Sequence, residues 1–128
     1  MTMSFARPHL ETVALLVDEA AILRYAAVSG DFNPIHIDPE FASKTEMGGV
    51  IAHGTLSLNL IWQALEQTLG REGLDTVDLD VRFRRPVRVG DRIEAGGALD
   101  ENGERYRVWA RNQDGVNIIE GTATRRSE

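Results

Sequence analysis

At 128 residues the chain suffices for one domain with a moderate core, expected to span 1–128. It has no cysteine, which excludes disulfides, a thiol nucleophile and a thiolate metal site, and its formal net charge of -6 argues against a nucleic-acid partner. No apolar run is long enough for a bilayer and no cationic-then-apolar leader opens the sequence, so the expectation is a soluble, cytoplasmic protein.

Met1 to Glu11 is polar around Pro8 and predicts no element. Thr12 to Val17 reads as a strand, and Asp18 as the cap of a helix from Glu19 to Ser29, with Asp18 and Glu19 at its positive end. Ile22, Tyr25, Ala26 and Ser29 share one face of that helix, so Tyr25 reads as a core packer whose hydroxyl is within reach of a pocket. Gly30 suits the left-handed position after the last turn.

A short loop follows in which Asp31, Asn33 and His36 alternate with Phe32, Ile35 and Ile37. Apolar neighbours are unusual for a solvated turn, so these polar groups are expected at the wall of a cleft. The competing reading gives Asp31 and Asn33 turn hydrogen bonds and makes His36 a packed core histidine. Asp38, Pro39 and Glu40 then start a short helix to Lys44. Thr45 to Val50 is either a flap over a cleft or a connector, and its Gly48-Gly49 pair lacks the spacing of a phosphate-binding turn, so no nucleotide cofactor is expected.

Ala52-His53-Gly54 precedes the best helix candidate, the apolar run from Leu56 to Leu69 that Gly70 ends. Leu58, Ile61, Trp62, Leu65 and Leu69 fall on one face, with Leu56 and Leu60 off it, which implies a helix surrounded by protein in which Ser57 and Asn59 need partners. Gly54 sits where the first turn leaves amides unpaired, and with no side chain it either admits a carbonyl oxygen or simply allows close packing. Beyond Gly70 the pattern alternates: Val77 to Phe83, Ile93 to Leu99, Tyr106 to Ala110 and Val116 to Thr124 read as strands joined by turns at Gly90-Asp91, Asp100 to Gly103 and Asn112 to Gly115. One long buried helix ahead of several antiparallel strands predicts an α+β fold with the helix on the sheet.

Three stretches carry a family resemblance. Tyr25 through Asp38, with Ser29-Gly30-Asp31, Asn33-Pro34 and His36 in order, then Ala52-His53-Gly54, then Phe83 through Asp91, resemble the MaoC-like group of hot dog fold proteins. That group includes the (R)-specific enoyl-CoA hydratases and the related 3-hydroxyacyl thioester dehydratases. The resemblance runs from about Leu16 to the last strand. It implies a curled antiparallel sheet wrapped around the long helix, and a homodimer, with a heterodimer with a paralogue as the alternative. It also implies Asp31 and His36 as the catalytic pair, Asn33 as their orienter and the Gly54 amide as oxyanion donor.

The implied reaction is reversible hydration of a trans-2-enoyl-CoA to the (R)-3-hydroxyacyl thioester, or the reverse on an acyl carrier protein. Arg82, Arg84 and Arg85 are then candidates for the phosphates of the thioester handle, the alternative being solvated surface charge. Leu56, Leu60 and Trp62 are candidates for setting acyl length, although Trp62 reads first as core. His53 is assigned a structural hydrogen bond. No cofactor is expected and no metal, because His36, His53 and Asp31 lack a recognised ligand spacing. A hot dog thioesterase and a noncatalytic acyl-binding partner are the other classes, separable from a hydratase by whether free thiol is released.

Overall fold

The computed structural model describes residues 2–3 and 5–126. Strands β1 (Thr2–Met3) and β2 (Val13–Val17) come first, followed by helices α1 (Glu19–Ser29), α2 (Pro34–Ile37), α3 (Pro39–Ser43) and α4 (Gly54–Leu69). A 3-10 turn, Glu72–Thr76, leads into β3 (Val77–Phe83), β4 (Asp91–Leu99), β5 (Arg105–Arg111) and β6 (Asn117–Arg126). All pairings are antiparallel. The sheet runs β2, β4, β5, β6, β3, and β1 joins β6 at Arg125 and Arg126, just past the last β5 partner Thr124.

The helices end where the sequence punctuates them. The Asp18 carboxylate accepts the Ala21 amide at 2.8 Å, and Gly30 at φ 75 turns its own amide back to the Ala26 carbonyl. Helix α4 packs against β2, β4 and β5, and Leu60, Ile61 and Leu65 meet Val17, Ile93, Tyr106, Val108 and Ile119 in one buried core. Each fully buried Leu or Ile contributes about 1.5–3 kcal/mol of transfer free energy.

Three expectations need correction. The buried stripe of α4 is Leu56, Ser57, Leu60, Ile61, Ala64 and Leu65, while Leu58, Trp62 and Leu69 flank it half-buried. Side-chain bulk pointed to the wrong face; the sheet takes the stripe carrying Ser57 and Ala64, where small side chains let the helix sit close. Second, part of the expected loop is helical: Pro34–Ile37 makes one turn capped by Asn33, whose side-chain oxygen accepts the Ile35 amide at 3.1 Å.

Third, the N-terminal segment belongs to the core. Phe5 and Leu10 are buried, and the Phe5 ring lies 4.5 Å from that of Tyr106. The backbone is tied down by Phe5 N–H to Gly103 O and Leu10 N–H to Gly97 O, both 3.0 Å, and by Leu99 N–H to Pro8 O at 2.8 Å. Its order comes from the strands it lies on, so no periodicity of its own announces it. The Tyr106 hydroxyl donates to the Arg7 carbonyl, and burial pushes that phenol above its usual range.

Candidate active site

A ladder of short-range hydrogen bonds sets the loop after α1. The Asp31 amide donates to Ser29 Oγ at 3.2 Å, the Asn33 amide to Asp31 Oδ1 at 3.1 Å, and the Ile35 amide to Asn33 Oδ1 at 3.1 Å. One Asp31 oxygen is thereby spent on the backbone, and the other, Oδ2, stands 3.9 Å from His36 Nε2. The turn hydrogen bonds of the competing reading are thus present in the same carboxylate that faces the histidine.

His36 is held from outside the loop. Its Nδ1 lies 2.7 Å from the Ile51 carbonyl, which can only accept, so Nδ1 carries a proton and Nε2 is the nitrogen open toward Asp31. His53 Nε2 is 2.9 Å from the Asp31 carbonyl and by the same logic donates to it. The two imidazoles stack at 3.9 Å with an interplanar angle of 25°, and the Tyr25 ring meets His53 edge-on at 5.0 Å. His53 makes the structural hydrogen bond expected of it, and the Tyr25 hydroxyl goes to Thr55 Oγ1 at 2.7 Å.

Asp31, His36 and His53 offer ligand atoms within 4.8 Å of one another. They do not suit one ion. Each imidazole has a nitrogen committed to a carbonyl, and lone pairs lying in the planes of two rings stacked at 25° do not converge, whereas zinc needs its ligand nitrogens at about 2.0–2.1 Å.

The stack passes directly to Gly54, the first residue of α4. Its amide has no intrahelical partner, and a Cβ placed there meets Phe83 Cε1 at 3.0 Å. A cavity of about 370 Å³ opens beside it, lined by Ile51, His53, Gly54, Ser57, Phe83, Arg84, Arg85, Val87 and Ile118, with Met47 of the Thr45 to Val50 segment at its edge. A second cavity of about 240 Å³ is lined by His36 together with Glu19, Ile22, Leu23, Ile37, Val50 and Val89.

The predicted residues divide. Asp31, Asn33 and His36 come together on one loop, and the His53 stack joins them to Gly54. Arg84 and Arg85 line the Gly54 cavity, but Arg82 instead lines a groove on the outer sheet face with Arg107, Trp109 and Arg111. Arg84 is also bound to Glu120, and its hydrogen bond, ahead of that from Asn117, holds the Glu120 carboxyl below its ordinary value. The Gly54 cavity is lined by Ser57, Val87 and Ile118 in place of Leu56, Leu60 and Trp62. Ser57 was legible only as a hydroxyl in an apolar run, one turn after Gly54.

Residues 3–118 match the model of the MaoC like domain. The chain is 36% identical over 78 residues to the 3-hydroxybutyryl-CoA dehydratase of Methylorubrum extorquens, covering 61% of this chain and 50% of that protein. It is 40% identical over 76 residues to the (R)-specific enoyl-CoA hydratase of Aeromonas caviae, covering 59% and 57%. The matched stretch spans about half the length of these curated relatives. The solved structure of the (R)-hydratase from A. caviae involved in PHA biosynthesis superposes at a TM-score of 0.75 with 27% identity, covering 96% of this chain and 98% of that one.

Proposed function

The chain belongs to the MaoC-like domain family and has its hot dog fold, and from that premise we propose that it hydrates trans-2-enoyl-CoA reversibly to the (R)-3-hydroxyacyl-CoA. The observation that carries this reading is the 3.9 Å separation of His36 Nε2 from Asp31 Oδ2. It is too long for a direct hydrogen bond, yet a water about 2.8 Å from both atoms completes the triangle.

Such a water attacks the β carbon of the enoyl group. The C=C electrons move toward the thioester oxygen, and the Gly54 amide offsets the charge that builds there. Asp31 and His36 together accept the proton that the water loses and return one to the α carbon, so the pair ends as it began. Because His36 Nδ1 is held by Ile51, Nε2 is the atom through which His36 exchanges that proton. Both groups stand on one side of the substrate, which favours addition to a single face. Asn33 positions them through its cap of α2 and through the hydrogen bond that its backbone N–H donates to Asp31 Oδ1.

The same reading places the phosphates of coenzyme A or of a carrier protein's arm near Arg84 and Arg85, with Arg82 the least favoured of the three. A homodimer is supported by β3, which among the described residues pairs only with β6 and has no partner on its other edge, and by Phe83, 56% exposed at its end. The lack of cysteine fits a cytoplasmic setting; among the described residues no helix is long and apolar enough to cross a membrane. Incubation with crotonyl-CoA tests the activity: loss of the enoyl absorbance without thiol release is the expected result. Thiol release instead makes the protein a thioesterase, and no change with coenzyme A or carrier-protein enoyl thioesters of any chain length removes the hydratase reading.

A further inference from the structure

Helix α4 carries a polar group that the hydration scheme does not use. Ser57 is 1% exposed, and its Oγ finds no hydrogen-bond partner among the described residues. A helical serine ordinarily turns its hydroxyl back to the carbonyl four residues earlier. Here that carbonyl belongs to His53, and Leu56 already donates to it at 3.1 Å. A buried hydroxyl without a partner is costly, and the large majority of such groups in folded proteins are paired.

Its position gives the group a use. Residues three apart in a helix stand one above the other, and helical side chains lean back over the turn on their N-terminal side. The Ser57 side chain therefore leans toward Gly54, whose amide is unpaired, and both residues line the same cavity. We propose that the Ser57 hydroxyl is a second donor to the thioester carbonyl oxygen, so that one backbone N–H and one side-chain O–H hold it together. This rests on the hydratase reading. As water bonds to the β carbon, the π electrons pass to the thioester oxygen. Two donors stabilise that enolate more than the starting carbonyl, and Ser57 keeps its proton throughout.

The prediction separates function from packing. Removing an unpartnered buried hydroxyl takes nothing from the fold, so Ser57→Ala is expected to melt no lower than wild type. Its kcat for crotonyl-CoA falls about 100-fold, as for loss of one oxyanion donor, with KM within about 2-fold, and Ser57→Thr, which keeps the hydroxyl, recovers most of the rate. A kcat within about 2-fold of wild type overturns the proposal while the hydratase reading stands, as does a loss that tracks a lowered Tm and is not recovered by threonine. If the wild-type protein hydrates no enoyl thioester, the hydratase reading fails by itself, and acetoacetyl-CoA then decides the role of Ser57. A weaker enolate absorbance band on Ser57→Ala than on wild type upholds the donor, and equal bands overturn it.

Discussion

Two buried hydroxyls in one core are treated in opposite ways. That of Tyr106, on the sheet, is bonded to the Arg7 carbonyl, and the ring that carries it packs against Phe5. That of Ser57, on the first turns of α4, has no partner among the described residues, and in the same neighbourhood His53 Nδ1 is buried without one. Arg125 Nε at the sheet end is also buried without a hydrogen-bond partner, but its guanidinium lies 5.0 Å over the Phe5 ring. Ser57 and His53 instead line a cavity, so the sheet end reads as a region closed for stability and the α4 entry as a wall awaiting another molecule's atoms. Mutations at the two ends should therefore separate stability from turnover.

The largest effect is expected at the closed end. Tyr106→Ala removes a fully buried ring and should cost about 3–5 kcal/mol in urea unfolding, while the folded fraction keeps its turnover per site. A turnover defect in protein that is still fully folded breaks the division. Next comes the loop. Asp31→Asn and His36→Ala should each lower kcat/KM by about 100-fold or more, equivalent to about 2.7 kcal/mol, with the double mutant losing less than the product of the two because both act on one water. Asparagine still offers an oxygen to the Asn33 amide, so the loop stays closed and the loss reports basicity. Near-normal hydration by folded Asp31→Asn across several pH values removes Asp31 from the scheme.

A smaller effect tests the arginines. Changing Arg84 and Arg85 together to alanine should raise KM for the coenzyme A ester by about 10-fold with little change in kcat, while Arg82→Ala on the outer face leaves KM within about 2-fold. Equal effects from both variants discard the assignment of the cavity-lining pair. The least effect concerns Glu120. Its lowered carboxyl value means that the stabilisation from Arg84 is complete above the ordinary value of 4.5 and is lost as pH falls through the lower folded value. Thermal melts of wild type and Glu120→Gln should thus converge toward acid pH, and a constant gap between them from neutral to acid contradicts the linkage.

The loop and the strands were legible because their signals are local. Asp18, Gly30 and Asp38-Pro39 each fix the backbone beside them, and Val77 to Phe83 shows its pleat in its own alternation. What escaped depends on distant partners. Phe5 and Leu10 are ordered by β4, β5 and the turn between them, and the buried stripe of α4 is chosen by how closely the sheet approaches. Arg82 and Arg84 look equivalent in sequence, yet Arg82 lies within β3 and Arg84 beyond its end at Phe83, so Arg84 reaches the Gly54 cavity while still bonded to Glu120 of β6. Ser57 carried a signal, a hydroxyl among leucines, but its lack of a partner exists only in the folded chain.

The hydrogen-bond ladder from Ser29 to Ile35 bears on transplantation. A seven-residue stretch that closes its own backbone groups looks like a portable cassette, ready to be grafted onto another scaffold with its carboxylate already aimed. The rigging is incomplete, however. His36 takes its proton placement from Ile51, and Asp31 is fastened through its carbonyl to His53, so both moorings lie outside the loop. A graft of the motif alone carries over the residues and loses their orientation; the smallest transferable unit runs from Ser29 through the first turn of α4.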